Sequence, residues 1–153
     1  RDDVFSSLHS NEIDNLKIFD EHSIPKLETV LRMFPDMKFQ IDVKTDEVAM
    51  PALAIIQKNN AMDRVCIASF NSKRLNLVNN NYPDICISMG PYEVAKMLLS
   101  SFGLYKKSIL GNCLQIPIYE YGIKLVTKRF VKFIHSKGLK VCVWTINDEK
   151  TFK

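Results

Sequence analysis

Two charged side chains at the end of an apolar run are the residues best placed for chemistry in this 153-residue chain. Asp42 and Lys44 follow Phe39-Gln40-Ile41 and stand two positions apart, so in a strand both would point to the same face. In α/β folds the C-terminal ends of parallel strands carry the ligand sites. There a carboxylate can bind a hard divalent cation, and an ammonium can bind a phosphate group. The same pair could also be an ion pair that binds no ligand, and the spacing alone leaves both interpretations open.

A tryptophan and an amide are further candidates. Trp144 follows an apolar run near the C-terminus, where it could belong to the core or form the wall of a pocket. Gln115 lies inside another apolar run and needs hydrogen-bond partners if it is buried, either from a site or from neighbouring backbone. No histidine has a nearby acidic motif or a metal-type spacing. We therefore interpret all three as structural or surface residues: His9, His22 and His135.

The cysteines do not form a recognisable metal motif. There is no Cys-x-x-Cys pair and no histidine at zinc-ligand spacing. Their apolar surroundings predict buried, reduced thiols, which are typical of a cytoplasmic protein. The four positions are Cys66, Cys86, Cys113 and Cys142.

Composition favours one soluble globular domain. The chain is 46% apolar and 25% charged, and 21 basic minus 17 acidic residues give a net charge of +4. Its longest apolar run, residues 48–56, is too short for a transmembrane helix, which needs about 20 residues. The C-terminal half is basic, but no recognition motif accompanies the charge, so we predict no nucleic-acid partner.

The elements that must position these side chains alternate along the chain. Segments with helical spacing include Ile24 to Leu31, Pro51 to Asn59, a helix capped by Asn71 or Ser72, one beginning near Pro91, and one between Thr127 and Gly138. Short runs rich in β-branched and aromatic residues predict strands covered on both faces. These runs are Lys38 to Lys44, Arg64 to Phe70, Asp84 to Gly90, Asn112 to Ile118 and Lys140 to Asn147.

This alternation predicts βα units with right-handed crossovers in an α/β fold. Two architectures are compatible with it: an open doubly wound sheet and a stretch of (β/α)8 barrel. No G-x-G-x-x-G or Walker A motif follows a strand, which weakens the nucleotide-binding form of the open sheet.

Five segments in order resemble the glycerophosphodiester phosphodiesterase family. The family pattern runs I-P-T-L-E-E-V-L, then N-I-E-I-K, then S-S-F, then a histidine-glycine turn before V-x-V-W-T-V-N. The resemblance extends from about residue 8 to the end of the chain. Its segments here are IPKLETVL, FQIDVK, IASF, LQIP and HSKGLKVCVWTIN.

The resemblance implies a (β/α)8 barrel that uses a divalent metal and acid–base histidines. Its reaction, part of lipid metabolism, hydrolyses glycerophosphodiesters to glycerol 3-phosphate and an alcohol. By this resemblance, Asp42 takes the place of the family's metal-ligating glutamate, and the metal would be Mg²⁺ or Ca²⁺. Lys44 matches the family lysine and would bind the phosphate. Asp42 and Lys44 are therefore the predicted catalytic pair. Trp144 and Phe70 match family aromatics, and we expect them, with Gln115, to bind the substrate.

We find no counterpart in this sequence of the family's first three strands, which carry its H-R-G, E-x-D and H-D motifs. A complete barrel typically needs about 250 residues, whereas this chain has five predicted strands. We therefore expect residues 1–153 to form strands four to eight of a partial TIM barrel, the C-terminal part of one domain. The missing N-terminal half is expected in the full protein, and the chain alone should be inactive. The alternative is a non-catalytic remnant that binds a phosphorylated ligand, or a partner protein through a sheet edge.

Overall fold

The fold is described from a computed structural model that covers residues 7–19 and 21–149. It consists of one parallel sheet, its connecting helices and two short hairpins. In chain order the elements are α1 (Ser10–Asn15), β1 (Lys17–Ile18), β2 (His22–Ser23), α2 (Leu27–Met33), β3 (Phe39–Asp42), α3 (Asp46–Lys58), β4 (Val65–Ala68), α4 (Ser72–Asn81), β5 (Cys86–Met89), α5 (Pro91–Ser101), β6 (Cys113–Ile116), β7 (Tyr119–Glu120), β8 (Ile123–Lys124), α6 (Lys128–Ser136) and β9 (Lys140–Val143).

The strand order of the main sheet decides between the two architectures. The sheet runs β3-β4-β5-β6-β9 and every neighbouring pair is parallel. A doubly wound sheet reverses its order at a switch point, whereas a (β/α)8 barrel adds each new strand beside the last. The sheet is curled into a five-stranded half-barrel, so the predicted partial barrel with about five βα units is confirmed.

The convex face of the sheet packs against the helices. In β4, Val65 and Ile67 point to this face and are buried, whereas Cys66 and Ala68 point to the concave face. Two clusters of buried side chains follow from this alternation. The first joins α2, α3 and α4 to β4 and β5, and the second joins α5 and α6 to the end of β5 and to β6.

The prediction of strands covered on both faces holds only for the centre of the sheet. Strands β4, β5 and β6 are almost fully buried. In β3, however, Gln40 and Asp42 are exposed, and in β9 Lys140 and Cys142 are exposed. The outer strands have no further neighbour in the described part of the chain, so their concave face borders an open cavity.

Helix α2 begins at Leu27, so the predicted start near Pro25 is wrong, whereas the other helix ends follow the predicted capping chemistry with one exception. The Asn71 side chain accepts a hydrogen bond from the Lys73 amide at 2.9 Å, and the Thr127 hydroxyl accepts one from the Phe130 amide at 3.2 Å. The exception is α3, which begins at Asp46 rather than at Pro51. Its buried stripe of Ala49, Leu53 and Ile56 has helical spacing, and packing of that stripe outweighs the exposed proline.

The hairpin formed by β7 and β8 was not predicted. Its loop residues Tyr121 and Gly122 both have positive φ, 48° and 77°. Two successive residues with positive φ make a type I′ turn, which matches the twist of a two-residue hairpin. The hairpin lies between β6 and α6, and its tip reaches the C-terminal end of the sheet.

The described residues form no helix with enough length and apolar character to cross a bilayer.

Candidate active site

A cavity of about 630 Å³ lies at the concave face and the C-terminal ends of the strands. This is the position at which barrel folds build their ligand sites. The cavity is lined by side chains from β3, β4, β5 and β6, from the segment that follows β9, from α5 and from the β7–β8 hairpin. All five predicted site residues are among them: Asp42, Lys44, Phe70, Gln115 and Trp144.

The charged pair stands at the mouth of the cavity. β3 ends at Asp42, and Lys44 follows two residues later on the same face, where its Nζ donates to Asp42 Oδ2. The Lys44 side chain is 69% exposed and the Asp42 side chain 33% exposed. The ammonium can therefore turn to an incoming anion, and the carboxylate can exchange its lysine partner for a cation.

An aromatic wall continues from the charged pair. Lys44 Nζ lies 5.3 Å from the centre of the Phe70 ring, and Phe70 meets Trp144 edge to face with ring centres 6.4 Å apart. Both rings are partly exposed to the cavity. Such a wall can pack against the organic part of a ligand while the ammonium holds its charged part.

The floor of the cavity contains an amide pair that joins distant strands. Gln40 Nε2 on β3 donates to Gln115 Oε1 on β6, across the concave face. This contact satisfies Gln115, whose partner the sequence left open. Gln40 was not predicted, since its role depends on the curl that brings β3 and β6 together.

Arg74 holds the two loops that present Lys44 and Phe70. Its guanidinium is 9% exposed and donates to the Val43 carbonyl at 2.8 Å, to Ser69 Oγ at 2.9 Å and to Asp46 Oδ1 at 2.7 Å. Ser69 Oγ in turn donates to the Val43 carbonyl at 2.9 Å. Sequence analysis missed this arginine because nothing local distinguishes it from a solvated helix residue.

Three thiols form a cluster deeper on the concave face. The Sγ atoms of Cys66, Cys86 and Cys113 all lie within 4.8 Å of one another, and the Cys66 and Cys113 sulfurs are 3.6 Å apart. Hydrogen bonds, chiefly from Cys66, lower the pKa of Cys113 to about 6, while the pKa of Cys66 is raised because it keeps the shared proton. Burial raises the pKa of Cys86. Of the four thiols predicted to be buried, Cys113 is buried, Cys66 and Cys86 are half-buried, and Cys142 is exposed.

The donor set for a divalent metal is incomplete in the described residues. Among the side chains lining the cavity, Asp42 and Glu120 carry the carboxylates, and no imidazole is present in that part of the structure. Mg²⁺ and Ca²⁺ take six or more oxygen ligands. Asp42 fits as one ligand by position and exposure, and solvent or residues outside the described ranges would have to supply the others.

Comparison with protein families and curated proteins gives two matches. The model of the glycerophosphoryl diester phosphodiesterase family matches residues 3–153. A curated Mycobacterium tuberculosis protein named "Probable glycerophosphodiester phosphodiesterase 2" is 30% identical over 135 residues. That alignment covers 82% of this chain and 50% of the relative, so the chain spans about half the length of the curated protein it matches.

Solved structures show the same fold at lower sequence identity. A glycerophosphodiester phosphodiesterase from Parabacteroides distasonis superposes with a TM-score of 0.72 at 19% identity. A Galdieria sulphuraria protein that provisionally bears the same name superposes with a TM-score of 0.69 at 20% identity. Each match covers 95% of this chain and 61% of the solved chain.

Proposed function

Because the chain belongs to the glycerophosphoryl diester phosphodiesterase family, we propose that its cavity binds a glycerophosphodiester for hydrolysis to glycerol 3-phosphate and an alcohol. The observation that carries the proposal is the convergence of a lysine, a carboxylate and two aromatic rings at one cavity mouth. Family members are phosphodiester hydrolases by name. The residue roles below are our assignment for this chain.

Lys44 binds the phosphate in this proposal. Its ammonium is the positive charge nearest the aromatic wall and is largely exposed, so a bound phosphate can replace Asp42 as its partner. A phosphate that approaches Lys44 also approaches Phe70, 5.3 Å away. In this proposal the anionic centre of the ligand therefore lies beside an apolar surface.

Trp144 and Phe70 hold the glycerol part. The two rings meet edge to face, and both line the cavity. A three-carbon polyol has C–H groups that pack on such a wall and hydroxyls that need polar partners. Gln115, fixed by Gln40 on the cavity floor, can supply a partner.

Asp42 is the assigned metal ligand. A divalent cation such as Mg²⁺ or Ca²⁺, when bound, neutralises phosphate charge and polarises the P–O bond. The carboxylate at the end of β3 faces the side of the cavity where Lys44 binds the phosphate, so both can act on the same group. The remaining ligands and the proton-transfer groups would come from outside the described cavity lining.

We propose, accordingly, that residues 1–153 are one part of a barrel domain that other strands complete, and that this part alone does not turn over substrate. The length of the relatives, about twice the matched span, supports this. The absence of an imidazole from the described lining supports it as well.

We keep the cytoplasm as the predicted compartment, on the ground that the described cysteines are free thiols.

The experiment is glycerophosphocholine hydrolysis by the longest natural product of the gene, with Mg²⁺ or Ca²⁺ added. The Asp42→Asn variant should lower kcat by about 100-fold or more, since it removes the charge of a metal ligand. Lys132→Met, on the outer helix α6, should leave the rate unchanged. Hydrolysis that is insensitive to Asp42→Asn would refute the assigned site.

The same assay separates the enzyme from the alternative, a phospho-ligand binding module. That alternative is favoured by one observation, the lack of an imidazole among the described cavity residues. If the longest natural product binds glycerol 3-phosphate at this cavity but shows no metal-dependent turnover, the chain is a binding module rather than part of an enzyme.

A further inference from the structure

The three-thiol cluster is made of residues that have no part in the assigned phosphate and glycerol contacts, although Cys113 touches Gln115. Cys66 and Cys86 are paired neighbours in the β4–β5 ladder, and Cys113 begins β6 beside them. Each side chain points to the concave face, so adjacent strands direct all three sulfurs to one spot. Three thiols converging from three strands is an arrangement that the hydrolysis of a diester does not use.

The sulfur spacing fits a single small cation. A zinc–sulfur bond of about 2.3 Å in tetrahedral geometry separates the bound sulfurs by about 3.8 Å. Cys66 and Cys113 are already 3.6 Å apart, and the third sulfur lies within 4.8 Å of both. Rotamer adjustments of a fraction of an ångström to about 1 Å would bring the three to coordination distance.

We propose that Cys66, Cys86 and Cys113 bind one thiophilic d¹⁰ cation, of which Zn²⁺ is the representative, through three thiolates. Each coordinated thiol gives its proton to solvent as a sulfur lone pair bonds the cation, and no electron is transferred. A water molecule would complete the tetrahedron at the fourth position.

The surroundings suit such a site. Three thiolates and Zn²⁺ leave one net negative charge, and Lys140 lies beside Cys113 in the β6–β9 register. The buried Ser88 hydroxyl contacts Cys113 and can serve as an outer hydrogen-bond partner.

Soft thiolates select this class of cation against hard ones. Mg²⁺ and Ca²⁺ prefer oxygen ligands, so they should not occupy the thiol cluster. Zn²⁺ or Co²⁺ at the cluster should likewise be independent of the Asp42 carboxylate. Tests of metal binding at the thiol cluster are therefore independent of tests of the proposed hydrolytic function.

The test uses Co²⁺ as a spectroscopic probe on the complete 153-residue chain, reduced with a phosphine and freed of metal. We expect one equivalent of Co²⁺ to produce a thiolate-to-metal charge-transfer band with tetrahedral d–d bands, unchanged by excess Mg²⁺ and displaced by Zn²⁺. Single substitutions Cys66→Ser, Cys86→Ser and Cys113→Ser should each weaken binding at least about tenfold. The matched control, Cys142→Ser, should bind as the unmodified chain does.

A second measurement covers variants that fail to fold. In the unmodified chain, Zn²⁺ should slow alkylation of the three cluster thiols, read by peptide mass spectrometry, and leave Cys142 alkylation unchanged. No charge-transfer band, a band that survives the three cluster substitutions, or equal protection of Cys142 would overturn the proposal. Formation of a Cys66–Cys113 disulfide in place of metal uptake under these reducing conditions would overturn it too.

Discussion

Lys44 is the side chain that we propose as the anion-binding group of the cavity. It is paired with Asp42 and stands 5.3 Å from the Phe70 ring centre. Exposure of its ammonium keeps its desolvation cost small and its ion pair weak. An anion with an organic part can therefore replace Asp42 as the partner of Lys44, and its organic part can pack on the Phe70 ring.

Replacing this lysine should weaken ligand binding without disturbing the fold. We expect Lys44→Met to reduce glycerol 3-phosphate affinity about tenfold, which equals about 1.4 kcal/mol. Isothermal titration calorimetry on the chain measures this, with Lys132→Met on helix α6 as the matched loss of an exposed lysine. Equal affinity of the two variants would contradict the role of Lys44.

The Cys113 thiol should lose its proton at a pH well below that of an ordinary thiol. The hydrogen bond from Cys66 lowers the pKa of Cys113 to about 6, and the Ser88 contact acts in the same direction. In metal-free, reduced protein, thiolate absorbance should therefore rise by about one thiolate per chain as the pH increases through about 6. Cys113→Ser should abolish this step, and Cys142→Ser should retain it. A first thiolate that appears only near pH 8.5, the ordinary range, would show that the cluster does not stabilise the anion.

Sequence spacing located some of these residues and could not locate others. Asp42 and Lys44 are two apart in one strand, so their common face follows from the period of a strand. The thiols are separated by 20 and 27 residues, and their contact depends on the register between three strands. The local sequence pattern carries no information on that register. The sequence therefore predicts separate core cysteines and not a cluster.

At the scale of elements, the βα loops are fixed by a buried arginine. Arg74, at the start of α4, bonds the loop after β3 through the Val43 carbonyl and the end of β4 through Ser69. Asp46 of α3 completes the contact. One guanidinium thereby sets the spacing of the two loops that carry Lys44 and Phe70.

Loss of this arginine should cost stability as well as geometry. Arg74→Met removes one of the two donors to the Val43 carbonyl, one of the two donors to Ser69 Oγ and the contact with Asp46, and we expect the free energy of unfolding to fall by about 2 kcal/mol. Urea denaturation measures this. Arg32→Met removes an exposed arginine that pairs with Glu28, and should cost only about 0.5 kcal/mol. Equal losses in the two variants would mean that Arg74 does not organise the loops.

The sequence predicted which segments are helices and strands better than it predicted where each one begins and ends. The five strands and the caps Asn71 and Thr127 were predicted because each rests on local composition. The predicted start of α3 at Pro51 was wrong, because burial of Ala49, Leu53 and Ile56 stabilises a helix that continues through this proline. The β7–β8 hairpin was missed because its strands are two residues long and exposed.

At the scale of the whole molecule, the chain is a curled half-barrel with its site on the concave face. The sheet order follows the chain order, and β3 to β6, with the segment that follows β9, contribute to the cavity lining. The chain spans half of its curated relative and 61% of the two solved structures. A half-barrel of this kind can hold a ligand by phosphate and glycerol contacts even where the full set of proton-transfer groups comes from elsewhere.

Trp144, the single tryptophan of the sequence, reports directly on this central claim. Its ring lines the cavity and is 42% exposed, so a ligand in contact with it should change its fluorescence. Titrating the chain with glycerol 3-phosphate should give a saturable change in tryptophan emission, weaker for inorganic phosphate and absent for glycerol. No saturable change, or an equal response to glycerol alone, would contradict a glycerophosphate site in this cavity.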